Sequence, residues 1–188
     1  MAAEDATVID VDQAMARALE LRGLLCFHCP LLEDPRFSYR DRTTGECRVR
    51  YRDLEPVLAG PRSGIRAVII TGQIAAYAVF GPPGVFRNVD VLPFAVDGSA
   101  LLVAALYVIP QARADNLDVD LLLAVMDFAR ARDFPVVQVV CRRDAGDEPE
   151  GRAEMLEAAG FEVTEPVDGL CLAMMTVEAW DESRADAG

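Results

Sequence analysis

Residues 100–109 read ALLVAALYVI, ten positions without a charged or amide side chain, and they run directly into Pro110. A strand with one wet face alternates apolar and polar residues, whereas a run that is apolar throughout needs cover on both faces. The segment therefore reads as the central strand of a sheet, and the proline ends it. Downstream, Leu117, Leu121, Val125, Phe128 and Ala129 keep a 3.6-residue period, which predicts a helix with Asp115 or Asn116 as its N-cap. Residues 135–141 form a second short apolar strand, so the three elements make a strand–helix–strand unit.

The segments on either side extend this frame. Residues 65–71 and 73–80 are rich in β-branched and aromatic side chains and meet at Gly72, the pattern of a β-hairpin. Breakers fill residues 81–99, a connection long enough to bind something. Near the start, Asp10 is placed to cap a helix, with Gln13 three residues later and a stripe of Val11, Ala14, Met15, Ala18 and Leu19 ending at Gly23. Residues 24–64 form an irregular, Cys-containing stretch, apart from an alternating Cys47-Arg-Val-Arg-Tyr51 that suits a strand. Residues 147–150 look like a capping box opening a helix that closes at Gly160, with Phe161 packing back. Residues 170–177 supply a last strand, and 181–188 read as a flexible tail. The whole is one α/β domain over residues 1–180.

Charge narrows the function classes. The 188 residues hold 31 acids against 18 arginines and no lysine, a formal charge of −13, which argues against a nucleic-acid partner. Most of the excess lies from residue 144 onward, where 13 acids face 2 arginines. Such a surface suits an amine substrate, a basic protein partner or simple solvation. No apolar run reaches the ~18 residues of a membrane span, and the opening MAAEDATVID lacks the basic and apolar regions of a signal peptide, so a cytoplasmic protein is expected. In a reducing compartment five cysteines are thiols or metal ligands. Cys26 and Cys29 are spaced as a chelating turn around His28, and with Cys47 they are candidate ligands for Zn or an iron–sulfur centre; a redox dithiol and plain structural thiols are the alternatives.

Several phrases, in order, carry a resemblance: Tyr77-Ala-Val-Phe-Gly-Pro-Pro83 in the hairpin, Leu106-Tyr-Val-Ile-Pro110, Arg113, the Leu121-Leu122 pair, and Leu156-Glu-Ala-Ala-Gly-Phe161. From about Ile65 to Val177 the chain resembles the GNAT acetyltransferase superfamily. The resemblance implies a mixed, mostly antiparallel central sheet flanked by helices. It also implies transfer of an acyl group from acetyl-CoA or another acyl-CoA to an amine. The cofactor contacts carried over are Leu106, Tyr107, Val108, Arg113, Ala114, Asn116 and Asp118. Backbone N–H groups near Tyr107 and Val108 would assist attack on the thioester, and a small-molecule amine would lie between the N-terminal segment and residues 81–99.

The same resemblance exposes departures. The family's loop reads Arg-Gly-x-Gly-x-Gly or Ala, so that backbone N–H groups at a helix N-terminus meet the coenzyme pyrophosphate with no side chain between. Here it is Arg113-Ala-Asp-Asn-Leu-Asp118, a degenerate version. A carboxylate about 4 Å from a phosphate charge costs roughly 4 kcal/mol at an effective dielectric near 20, several times what a helix dipole returns. Three readings of the loop follow: Asp115 and Asp118 cap their own helix, a shifted coenzyme site persists, or Asp115, Asp118 and Asp120 hold a cation. Many relatives place a proton-donating Tyr where this chain has Leu156. Cys141 ends the strand expected beside the thioester, as a nucleophile or as an inert buried thiol, and Arg142-Arg143 follow it. Two function classes stand: an acyltransferase, or a GNAT-like binding or accessory protein, with either compatible with a homodimer.

Overall fold

The computed structural model describes residues 7–22, 25, 27, 29–32, 50–144 and 151–185. Its centre is β4 (Leu101–Val108), the apolar run, with residues 101–106 all under 5% exposed. Outward on one side lie β3 (Gln73–Gly81), β2 (Gly64–Ile70) and β1 (Thr7–Asp10); on the other lie β5 (Val136–Arg142), β8 (Cys171–Thr176) and β7 (Glu162–Val163). The two-residue β6 (Gly151–Arg152) pairs with β5 off this path. Only β4–β5 and β5–β6 are parallel, so the sheet is mixed and mostly antiparallel, as the resemblance implies.

Helices cover both faces. On one, α3 (Leu117–Ala131) lays Leu121, Leu122, Val125 and Met126 against Val103, Leu106 and Val139. On the other, α1 (Gln13–Leu21) and α2 (Tyr51–Leu58) join Leu25, Phe27, Leu31 and Leu32 over Tyr77, Leu102 and Ala105. The short α4 (Ala153–Ala158) ends before Gly160, whose φ of +91° turns the chain so that Phe161 N–H donates to Leu156 O, as the sequence indicates. Among the described residues, no helix is long and apolar enough to cross a membrane.

Four expectations change. Asp10 does not cap α1: it ends β1, opposite Arg66, whose Nε donates to its carboxylate at 2.8 Å, and Asp12 caps the helix by accepting from Met15 N–H at 2.7 Å. Two acids two residues apart both suit a cap, and the cross-strand arginine decides between them. The stretch 24–64 is not wholly irregular. Tyr51, instead of ending a strand, opens α2, with Tyr51, Leu54 and Val57 buried; its first N–H donates to Glu20 Oε1 at 2.8 Å. Helix α4 begins at Ala153 rather than near Pro149, and residues 145–150 lie outside those described. Finally α5 (Val177–Ala185) continues past the buried Trp180 and is tied to α3 by an Arg130–Asp181 ion pair, where a tail was expected from residue 181.

The β2–β3 turn is Thr71-Gly72, both in the left-handed region with φ of +51° and +80°. That suits a tight hairpin turn but strains a β-branched Thr. Thr71→Asn is expected to raise unfolding free energy by about 1 kcal/mol, read as a shift of the urea midpoint with an unchanged slope.

Candidate functional site

Alternation fails once along β4. Leu101 and Val103 face the α3 side and Leu102 the other, yet Ala104 and Ala105 both belong to the α1–α2 side before Leu106 returns. The pairing shows why: Phe80 opposes Val103 and Val79 opposes Ala105, leaving Ala104 as an extra residue, a β-bulge. A bulge bends its strand. The parallel ladder with β5 runs only from Leu101↔Val137 to Val103↔Val139 and stops where the bulge begins.

Beyond that point the backbone groups of β4 divide by parity. Ile109 N–H donates to Ala75 O at 2.9 Å, so Tyr107 and Ala105, two and four residues back, also turn theirs toward β3. Leu106 and Val108 turn theirs toward β5, along an edge no described strand continues. Of the strand residues carried over as cofactor contacts, Leu106 and Val108 present backbone to this cleft. Tyr107 lends it no N–H; its ring packs 5.4 Å from that of Tyr77 on the α1–α2 face. Phe27 meets the other side of this pair, 5.4 Å from Tyr77.

The far wall is β6. Cys141 pairs with Cys171 of β8 on one edge of β5 and with Gly151 on the other, the edge that carries β4 lower down. Gly151 thus stands in the gap between the diverging strands. A Cβ there would meet Leu156 Cδ1 and Val139 Cγ1 at 3.3 Å, so only glycine lies this close to β5 without a shift.

The mouth of the cleft is the head of α3. Residues Pro110–Asp115 wind into a 3-10 helix, which uses backbone N–H groups internally. Asn116 sits at the N-cap position in the left-handed region (φ 55°, ψ 30°) without a side-chain cap bond; its C=O accepts from Val119 and Asp120 N–H. Neither Asp115 nor Asn116 caps α3 with its side chain, contrary to expectation. Asp118 is only 3% exposed; its Oδ1 accepts from Val119 N–H at 3.1 Å, and its Oδ2 accepts from Nε and Nη2 of Arg152. Arg152 is the N-cap residue of α4, so this ion pair crosses from one wall to the other. Arg113 donates from Nε to Val108 O at 3.4 Å, at the end of the open edge, and Ala114 is exposed on the 3-10 turn. The lone carboxylate assumed from the sequence is therefore a paired one, and Arg152 is the site residue that sequence reasoning missed.

Other candidates fall into place. Leu156, where the resemblance implies a Tyr, is fully buried and offers no proton. Cys141 is buried, and burial pushes its thiol up to about 12; burial raises Cys171 as well. A thiol held so firmly is no nucleophile. Arg143 pairs with Glu157 at 2.9 Å, and Arg142 donates to Gly169 O. Asn88 ties residues 81–99 to the N-terminal segment: its N–H donates to Leu31 O at 2.9 Å and its Nδ2 to Pro30 O at 3.0 Å. Cys29 is buried with Leu31 and Leu32, while Cys26, His28 and Cys47 lie outside the described residues. Among the described residues no cluster of three or more His, Cys, Asp or Glu gathers as a metal site, and Asp118 is engaged with Arg152 instead of joining Asp115 and Asp120. A groove of about 550 Å³ opens at the other end of α3, between Pro61 and Phe128, far along the helix from the open strand edge. Its Arg66 is already bonded to Asp10 and to Ala124 O.

Two consequences are measurable. Arg152→Ala strands a buried carboxylate and is expected to cost about 3 kcal/mol, the low end for breaking such a pair because the Arg152 side chain is 39% exposed. Asp118→Ala/Arg152→Ala, which removes both charges, should then unfold at higher denaturant than Arg152→Ala alone. For Cys141 the protonated thiol contributes stability that is complete below its ordinary value of 9.0 and lost as pH rises toward about 12. With no lysine titrating in that window, Cys141→Val should flatten the alkaline fall in stability seen in the parent protein.

No family model and no curated protein sequence matches the chain. Solved structures do. The ribosomal-protein-S18-alanine N-acetyltransferase from Escherichia coli superposes with a TM-score of 0.52 at 14% identity, over 92% of this chain and 94% of that one. PaiA N-acetyltransferase from Thermoplasma acidophilum, in complex with coenzyme A, gives 0.59 at 8% identity over 92% and 99%. BjaI, a CoA-dependent acyl-homoserine lactone synthase with SAM and isopentyl-CoA, gives 0.59 at 15% over 96% and 89%. At these identities the likeness speaks for architecture, and that architecture is the GNAT acetyltransferase fold.

Proposed function

We propose that the protein is an acyltransferase taking an acyl group from a pantetheine thioester of the acyl-CoA class and passing it to an amine. The observation that carries this reading is the end of the β4–β5 ladder at Val103, which leaves Leu106 and Val108 with backbone groups turned into a cleft. An extended, amide-bearing arm is the kind of ligand that adds to such an edge, in the manner of a strand. The solved proteins of the same fold, described with coenzyme A or isopentyl-CoA, support the choice of thioester.

The chemistry asks little of side chains. The amine nitrogen attacks the thioester carbonyl carbon, the C–N bond forms, the C–S bond breaks and sulfur leaves with the electron pair. The nitrogen's surplus proton goes to solvent and the thiolate takes one back, since Leu156 has none to give. The chain's part is to hold the thioester along β4 and to offer a strand N–H to the carbonyl oxygen as negative charge develops there.

A second reading rests on a different observation. The Asp118–Arg152 pair fills the head of α3, which favours a binding or accessory protein that does not take up the coenzyme. One experiment separates the two: incubation with an acyl thioester and a panel of small amines, following free thiol release and acylated amine by mass. Matched appearance of both products supports the transferase. Absence of turnover, together with no thioester binding by calorimetry, leaves the accessory reading.

A further inference from the structure

We infer, building on the transferase reading, that the protein recognises its donor through the pantetheine arm alone and draws no affinity from a pyrophosphate, so its donor class is acyl-pantetheine thioesters whether or not they carry a nucleotide. A diphosphate needs unspent N–H groups at a helix head, or cations with donors to give. Several of the groups placed to supply them are already engaged inside the chain. The N–H of Ala112 bonds to Ile109 O where the 3-10 helix begins, and those of Val119 and Asp120 bond to Asn116 O; Pro110 has no N–H to offer. Arg113 donates to Val108 O, at the end of the strand edge.

The remaining guanidinium, Arg152, is held side-on by Asp118, with Nε and Nη2 on one carboxylate oxygen. That carboxylate is nearly inaccessible in the first turn of α3, so Arg152 could turn to an incoming phosphate only by stranding it. Asp115 and Asp120, both exposed, flank it with the same sign of charge. At the inner end the balance differs, because Leu106 keeps its backbone groups, and Val108 its N–H, toward the cleft, although Arg113 takes Val108 O. The cleft thus keeps recognition for an amide-bearing arm and has replaced recognition of a diphosphate by an internal ion pair.

The test compares acetyl-pantetheine with acetyl-CoA on the intact protein by calorimetric titration at low and high salt. The expected dissociation constants agree within about threefold, since a nucleotide left in solvent adds little. Neither should weaken by more than about threefold with salt, because no phosphate charge is engaged. In Asp118→Gly, which frees both the helix head and Arg152, the ratio should move by about tenfold or more toward acetyl-CoA. Acetyl-CoA binding the parent protein more than about tenfold tighter than acetyl-pantetheine, with strong salt dependence, overturns the inference and leaves the transferase reading standing. Binding of neither thioester overturns the transferase reading, and the inference falls with it. The parent-protein comparison decides even if Asp118→Gly does not fold.

Discussion

The extra residue at Ala104 governs the geometry of everything near the cleft. A regular β4 would have continued its ladder with β5 toward Pro110, closing the sheet and leaving no backbone for a ligand. Inserting one residue bends β4 and turns Leu106 and Val108 toward space that β5 has left. The residue types follow. Ala104 and Ala105 both point to the α1–α2 face, between Leu102 and Tyr107, at 1% and 0% exposure. Two neighbouring side chains on one face of a close-packed layer must be small, and a larger one at either position would force apart Phe27, Tyr77 and Tyr107.

The same packing explains what the sequence could and could not reveal. A strand buried on both faces has no polar marker of its register, so the apolar run announces β4 clearly and hides its bulge completely. Only the Ala-Ala pair bears a trace of it. Hairpin, central strand, α3 and β5 were legible because each carries its own period or its own punctuation. The caps were not, because the acid at residue 10 and the acid at residue 12 are locally equivalent and Arg66, 56 residues away from Asp10, separates them. Helix α2 was obscured by Pro56, which reads as a breaker yet sits inside the helix. Its cap comes from Glu20 on α1, a tertiary contact.

The candidate site shows this limit most sharply. Its strand half follows from the apolar run and from the family resemblance, while its helix half turns on Arg152, 34 residues beyond Asp118 and inside a stretch read only as the approach to a helix. Nothing local to either residue signals the other. Along the sequence Asp118 is an isolated carboxylate, and the fold supplies it with a partner. A chain whose cations are all arginines is suited to such pairing, since a planar guanidinium can bond a carboxylate with two N–H groups and also stack on rings. Arg17 over Tyr51, Arg62 over Phe134 and Arg132 over Phe128 use the stacking half of that capacity.

An internal anion at the head of α3 also has an advantage that a ligand's phosphate lacks. Asp118 is delivered by the chain itself, so its presence costs no translational or rotational freedom, whereas an associating molecule forfeits at least about 4 kcal/mol on that account. To displace it, a diphosphate would further have to leave the buried carboxylate without donors, at a cost of about 3 kcal/mol. A helix dipole returns at most about 2 kcal/mol in such a position, too little to reverse the balance. Sequence proximity therefore sets the occupancy of the helix head, and the selectivity of the cleft is left to the few backbone groups that the bulge in β4 has kept out of the sheet.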